Sequence, residues 1–600
     1  MPFTPEAGSQ TTWLSEGDLR RIAIAARSLL PTIVPASEVP TVDGELAAAL
    51  TLPTGRAKIR LLRALGQSHP ALGDWYRNEV RKRQGHGRPH TEPRPPGPIE
   101  IRGPGSDDDR GREPARRFLA AEVPDQIRPG EWFSVLVSVD VVMPGNAWSA
   151  AFDLDVPPAG LDLVVVVSAP PGLQADGALT NQLHVPADGG SGPIRFGFRA
   201  SAAGAYQLIV RLFRGGTPVG ELQWEVIASE SVKESVVRTN WSPIKRLAAD
   251  PGEMTLVVDR TDHGRYRLQL MGRENFPAVE SERLTGDSGQ EVSHLADELG
   301  LLATGTSTYR GPARLSRLEN LGMHLWRKAV PETIREQFWQ EHDRISAFTV
   351  QTDTDPVPWE LMYPLDGQHD QGFLAEQFPV LRRATGQSGT HRIRLRKAAF
   401  VVPPGSPTNA REEVARIRAL LGESISMQDV SEYQELDELL TKPAQVPGLL
   451  HFSCHNQFRD GSGARIQLTG APFEPQDLAR AVGSQTLLSR APLVFVNACR
   501  SAGQTPNWTQ LTSWASEFIS AGAGAFVGSL WDVRSSAAAE FAECFYDALV
   551  IQNLSLGEAV LTSRMTGKAA AKDGDPTWLA YTVYGSPAAR IGRTRPTIRR

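Results

Sequence analysis

Leu449-Leu450-His451-Phe452-Ser453-Cys454-His455-Asn456, taken with Pro492-Leu493-Val494-Phe495-Val496-Asn497-Ala498-Cys499-Arg500-Ser501, decides how this chain reads. Each is an apolar, β-prone run that ends abruptly in a reactive side chain. The first delivers His455 and the second, 44 residues later, delivers Cys499. In open α/β sheets, chemistry gathers just beyond the carboxyl ends of the strands. A thiol and an imidazole brought to two such ends supply what nucleophilic catalysis needs: a thiolate to attack, and a base that takes its proton and passes it to a leaving amine.

Two other readings stand beside that one. A lone cysteine is often only a small buried hydrophobe. His451, Cys454, His455 and Cys499 are also all metal-ligand types. Strand geometry argues against the metal, because successive side chains alternate faces and Cys454 points away from both histidines. His451 and His455 would also stand about 13 Å apart at the usual rise of a strand. With three cysteines in the chain and no second paired cluster, no metal and no cofactor is expected.

The motifs carry a resemblance. His451-Phe452-Ser453-Cys454-His455, followed by Val496-Asn497-Ala498-Cys499-Arg500-Ser501, resembles the His and Cys signatures of CHAT domains, the caspase-like peptidases related to separase and the caspases. The likeness continues through Ser520-Ala521-Gly522-Ala523-Gly524-Ala525-Phe526-Val527-Gly528-Ser529-Leu530-Trp531-Asp532-Val533, Asn553-Leu554-Ser555-Leu556-Gly557-Glu558-Ala559 and Tyr584-Gly585-Ser586-Pro587. Upstream, Pro358-Trp359-Glu360-Leu361-Met362-Tyr363 resembles the "PWE" segment of these domains. The resemblance spans roughly residues 252–592. It departs from the family pattern after the catalytic histidine, where glycine is usual and Asn456 stands here.

The resemblance implies a cysteine endopeptidase with Cys499 as nucleophile and His455 as general base, then general acid. Backbone N–H groups of Cys499 and Asn456 would form the oxyanion hole. Asparagine is the next residue after glycine to tolerate unusual backbone angles. No third residue stands out to orient the histidine, so a dyad is expected. Leu530-Trp531-Asp532-Val533 resembles the separase segment that lends an acid to the pocket for the residue before the cut bond. Asp532 would then select arginine or lysine there; the competing reading has Asp532 capping a helix that begins near Ser535. Asn497 stands where several metacaspases place an aspartate, so Asp532 would supply that charge alone. Cys454 and Cys544 read as core. A caspase fold that has lost activity and serves as a signalling scaffold is the alternative of another class.

Composition narrows the setting. Hydrophobic content of 40 %, charged content of 22 % and a net charge of −5 are ordinary for a soluble protein and give no case for nucleic acid. Three cysteines in 600 residues argue against a disulfide framework and for a cytoplasmic location. Met1–Gln10 lacks the basic and apolar regions of a secretory signal. The longest apolar stretch, near Leu161–Val167, is too short to cross a bilayer, so no membrane is expected. No phosphate-cradling loop of the G-x-x-x-x-G-K-[ST] kind occurs, and no H-E-x-x-H or G-x-S-x-G.

The chain reads as multi-domain. Residues 1–84 form a helical module, from the spacing of Leu19, Ile22, Ala23 and Ala26 and of Ile59, Leu62 and Leu65. In size and position it resembles the death-fold-like adaptors of bacterial conflict systems, which implies an activating protein partner in a defence or cell-death pathway. A helical domain with no partner is the competing reading. Residues 85–116 are a Pro/Arg-rich linker with no apolar face to bury, and its Arg88, Arg94, Arg102, Arg110 and Arg112 become candidate self-cleavage points. Over 117–230 the period becomes two, as in Phe133–Val139 and Tyr206–Leu212, with Pro-Gly turns between, which predicts a β-sandwich. Residues 231–592 are the α/β caspase-like half, in two sub-lobes over about 252–390 and 398–592, followed by a basic tail at 593–600. Strands at Ala398–Val402, Gly448–Ser453, Leu493–Val496 and Ala525–Leu530 alternate with helices at Ala410–Leu421, Pro475–Val482, Thr512–Ile519 and Ala537–Val550. Such alternation predicts a mostly parallel sheet with helices on both faces. An earlier helix is expected to bury Leu315, Leu318, Leu321 and Leu325. Trp359 and Glu360 are expected to brace the first sub-lobe.

Overall fold

The computed structural model describes residues 117–592, apart from 142–155, 233–236, 244–249, 251, 262–264, 282–294, 296–297, 304, 353–356, 367–368, 388, 460–462, 499–507 and 572–573. The helical module, the linker and the basic tail lie outside the described residues.

Clean alternation builds the first half. Trp132–Asp140 buries every second residue, and Val135, Val137 and Val139 are fully enclosed. That strand lies in a five-stranded sheet ordered Val237–Pro243, Phe118–Pro124, Trp132–Asp140, Ile194–Ala200 and Leu173–Ala175. A second five-stranded sheet runs Gln126–Ile127, Thr217–Ala228, Gly204–Arg214, Leu161–Ser168 and Thr180–Val185. The two share one core, with Phe196 and Phe198 from the first meeting Val165, Leu208, Val210 and Leu212 from the second. Val237–Pro243, past the boundary expected at residue 230, pairs antiparallel with Phe118–Pro124.

Leu161–Ser168 breaks the alternation because both its faces are covered. Val165 and Val167 enter the shared core, while Val164 and Val166 pack with Phe213 against Val257 and Met271 of the second half. A strand buried on both sides reads as a continuous apolar run. Buried Arg211 seals the same junction through Asp259 at 3.0 Å and Thr385 at 3.0 Å. Glu253 lies there too, accepting from Thr217 at 2.7 Å and Thr349 at 3.1 Å. Burial pushes its carboxyl up to about 7, against the opposing pull of both hydroxyls and of Arg383. The folded state therefore holds this proton between the ordinary carboxylate range and pH 7 while the unfolded chain releases it, so stability falls as pH rises through that window. Glu253→Gln cannot lose a proton. Its melting temperature relative to wild type is expected to climb from pH 5 to pH 8; an offset that stays flat would contradict this assignment.

The second half has a two-stranded and a three-stranded sheet and, beside them, the eleven-stranded mixed sheet on which it is built. Its strands in chain order are β1 (Glu253–Arg260), β2 (Tyr266–Met271), β3 (Val279–Ser281), β4 (Ala347–Gln351), β5 (Val380–Arg383), β6 (Lys397–Val401), β7 (Ser426–Val430), β8 (Leu449–Cys454), β9 (Leu493–Ala498), β10 (Ala525–Ser529) and β11 (Tyr581–Tyr584). Across the sheet they run β3-β2-β1-β4-β5-β11-β10-β9-β8-β6-β7. Seven of the ten pairings are parallel, and the antiparallel ones are β1–β2, β2–β3 and β10–β11. The two expected sub-lobes thus join in one sheet, with the last strand, β11, closing the gap. The join is narrow: β5 meets β11 at the single pair Arg382↔Tyr584.

Helices cover both faces. Odd-numbered positions of β8 and β9, such as Leu449 and Phe495, pack with α3 (Ala410–Leu421), α6 (Ser535–Tyr546) and α7 (Leu556–Ala570). Even-numbered positions, such as Leu450 and Val494, pack with α4 (Tyr433–Thr441) and α5 (Trp508–Ser520). Over the first strands lie α1 (Pro312–Ala329) and α2 (Glu332–Glu341). The buried face of α1 is Arg314, Leu318, Gly322, Leu325, Trp326 and Ala329, and Leu315 stands out of it at 37 % exposure. Gly322 explains the difference. A Cβ there would lie 2.5 Å from the Leu361 carbonyl oxygen, so the helix sits closest to the chain at its glycine rather than over its leucine row. Gly522 combines both needs, with a φ of +103° and a backbone so close to Leu488 that an added Cβ would lie 2.4 Å from its nitrogen. The expected helix at Pro475–Val482 is a 3-10 turn followed by Ala479–Ser484, and that at Ala537–Val550 ends in a π turn, Asp547–Ile551.

Candidate active site

The strands that lead to His455 and Cys499 are neighbours. β8 and β9 pair in parallel, with His451 opposite Phe495, Ser453 opposite Asn497 and Cys454 opposite Ala498. His455 follows β8 directly and is partly exposed. β9 ends at Ala498, the residue before Cys499, which lies outside the described residues. Asn456 is buried and opens the strand Asn456–Arg459, which pairs antiparallel with Gly463–Gln467, Asn456 opposite Ile466. It is not among the residues with positive φ, so the backbone freedom that would favour glycine is not called upon here.

Asp532 is partly buried beyond β10, between Trp531 and Val533, which are both enclosed. The N-cap of α6 is Arg534, whose guanidinium reaches the Ala303 carbonyl at 3.0 Å and Asp575 at 3.2 Å. Cys454 is buried on the α4/α5 face, away from His451. Cys544 is only partly buried. Burial still raises its thiol pKa, though hydroxyls of Thr566 and Ser563 pull the other way.

Below the ends of β8 and β9, on the α3/α6 face, six side chains gather to which the sequence assigned no role. Glu413, in the first turn of α3, accepts from His451 Nε2 at 2.9 Å and Asn497 Nδ2 at 2.8 Å on one oxygen, and from Ser453 Oγ at 3.1 Å on the other. Tyr546 OH stands 3.0 Å from His451 Nδ1, and Tyr581 OH donates to Asn497 Oδ1 at 2.8 Å. All six residues are buried. Burial, then the nearby Glu413, raises the Tyr546 phenol well above its ordinary range. Its proton stays on and is donated to Nδ1, which leaves the Nε2 proton for Glu413. Asn497 faces inward and is spent on these bonds. One signal was present in the sequence: Glu413 falls on the apolar stripe of α3, with Ala410, Val414, Ile417 and Leu421. A carboxyl group on a buried stripe requires donors from elsewhere in the fold.

Glu360 is likewise enclosed, and it grips Arg382 through two bonds of 3.1 and 2.7 Å. Burial pushes its carboxyl up, but Arg382 and Arg564 outweigh burial and hold it below the usual value. The "PWE" segment therefore braces the β5–β11 join rather than the first strands alone. Among the described residues, no group of three or more His, Cys, Asp or Glu is arranged to hold a metal, and no helix is long and apolar enough to cross a membrane.

Residues 320–586 match the family model of the CHAT domain. The match spans both signature strands, while β1–β3 of the same sheet lie outside it. A search of curated proteins found no match. Among solved structures, the chain is similar to the Arg-specific cysteine proteinase gingipain R. Identity is 12 % and the TM-score 0.31, over 51 % of this chain and 75 % of that one. It is also similar to the Saccharomyces cerevisiae separase–securin complex, at 11 % identity and a TM-score of 0.36, over 57 % of this chain and 30 % of that one. The complex of Porphyromonas gingivalis RgpB pro- and mature domains gives 10 % identity and a TM-score of 0.30, over 51 % and 78 %.

Proposed function

We propose that this protein is a cysteine endopeptidase in which His455 activates Cys499 and later protonates the leaving amine. The observation that carries the reading is the pairing of β8 with β9. Ser453 and Asn497 are register partners, and in the sequence His455 and Cys499 each follow two residues later. The two strands are parallel and end opposite one another at Cys454 and Ala498, so the chain leaves both at the same edge of the sheet, where chemistry gathers in such folds. Backbone N–H groups of Cys499 and Asn456 would receive the oxyanion. The first half is read as a β-sandwich domain that holds the peptidase half, and residues 1–84 as the input for a cytoplasmic activating partner in a defence or cell-death pathway. Such a partner raises activity only if it binds the active arrangement more tightly. Full activity of the isolated chain would refute that control.

Asp532 is assigned to the pocket for the residue before the cut bond, which gives cleavage after arginine or lysine. Asn497 is engaged with Glu413 and Tyr581, leaving Asp532 to provide the charge. Profiling with a peptide library tests both parts of the reading. Asp532→Ala is expected to slow arginine substrates by roughly 30-fold or more relative to apolar ones, because an unpaired guanidinium in a dry pocket costs several kcal/mol. A preference for aspartate or leucine before the cut would return Asp532 to a structural role. No Cys499-dependent cleavage under any condition would favour the scaffold reading.

A further inference from the structure

We propose that Glu413 is a positioning residue for the Cys499–His455 pair, acting through Ser453 and Asn497. The inference rests on the peptidase reading and adds a residue to its machinery. The two oxygens of one carboxyl group are divided between two strands: Ser453 of β8 binds one, and Asn497 of β9 binds the other. Ser453 and Asn497 are also opposite one another in the ladder, so the carboxyl group bridges the rung just before the last one, Cys454 with Ala498. Backbone pairing holds the strands side by side, but it leaves their ends free to fray or shear. A buried acceptor bonded to both ends removes that freedom. It does so strongly, because hydrogen bonds gain strength in an environment that excludes water.

His451 adds a third donor from the same face of β8, and its ring is fixed from the other side by Tyr546. Tyr581 of β11 fixes Asn497 in the same manner. Each reactive residue is only two positions beyond a tied one. A shift at the carboxyl group is therefore passed on almost undiminished, and a 1 Å misplacement of reacting groups costs on the order of 100-fold in rate.

The test compares Glu413→Leu with Glu413→Gln in the full chain, measuring kcat and KM on a peptide substrate and the rate of Cys499 alkylation by iodoacetamide. Glutamine keeps an oxygen for His451 and Asn497, and its amide donates to Ser453, whose hydroxyl turns to accept. Glu413→Gln is therefore expected to stay within about fivefold of wild type in kcat. Glu413→Leu is expected to lose roughly 30- to 100-fold in kcat with KM within twofold, and to slow alkylation in parallel. A leucine variant with unchanged kcat, or one whose loss only follows the unfolded fraction, would overturn the proposal. If that variant does not fold, Ser453→Ala and Asn497→Ala each remove one tie. Each is expected to lower kcat about fivefold to tenfold, and unchanged values for both would also overturn it. Wild-type cleavage that depends on Cys499, but not on Glu413, separates failure of this inference from failure of the peptidase reading.

Discussion

Cys499→Ala is expected to abolish peptide cleavage, a loss of at least about a thousandfold in kcat/KM, while leaving the melting temperature within a few degrees of wild type. His455→Ala is expected to match it. The double variant should lose little beyond either single one, because nucleophile and base act as a unit and removing one already removes the step they share. The fold should tolerate both changes. His455 is partly exposed, so its loss opens no cavity in the packed faces of the sheet, and Cys499→Ala removes only a single sulfur atom. Circular dichroism with thermal denaturation checks the fold, and an active-site label checks the chemistry: an epoxide or acyloxymethyl ketone should modify wild type at Cys499 and leave Cys499→Ala unmodified. Near wild-type cleavage by Cys499→Ala would refute the assignment.

Glu360→Ala is expected to cost about 3–5 kcal/mol of stability, as is Arg382→Ala. The pair is fully enclosed and doubly hydrogen-bonded, so removing one member strands the other's charge away from water. Its place in the fold enlarges the consequence. Arg382 is the residue at which β5 meets β11, and Arg564, held by the Val380 and Tyr581 carbonyls, lies beside the same carboxyl group. Burial depresses the Arg564 guanidinium to about 10 despite the compensating Glu360. Loss of Glu360 would leave two buried guanidinium groups against each other. Urea denaturation of both single variants and of Glu360→Leu combined with Arg382→Met measures this. The combined variant should lose clearly less than the sum of the singles, since the second change removes the charge that the first left unpaired. Additive losses would mean that the two side chains act independently.

Much of this was legible in the order of residues. Apolar runs that stop at His455 and Cys499, and the regular exchange of strand for helix after residue 397, are local patterns set by side-chain burial. The helix at Ala410–Leu421 falls where its spacing puts it. Two things misled. Leu315 looked like core because a leucine row suggests a buried stripe, yet the helix rotates to bring Gly322 against the Leu361 carbonyl. Ser426–Val430 carries little apolar signal, because this edge strand buries little beyond Val430.

By itself, the sequence determined most of the segments that become strands and helices, and that a histidine and a cysteine follow directly on two of those strands. Tertiary structure alone decided that β8 lies beside β9 with Ser453 opposite Asn497, that the last strand inserts in mid-sheet between β5 and β10, and that Glu413 meets Asn497 across 84 residues of chain. The physical reason is common to all three. Ladder hydrogen bonds join backbone groups that every residue carries, so strand order leaves little trace in side-chain identity. A buried carboxyl group, in turn, is stable only when distant segments bring it donors, and no local pattern records which donors those are.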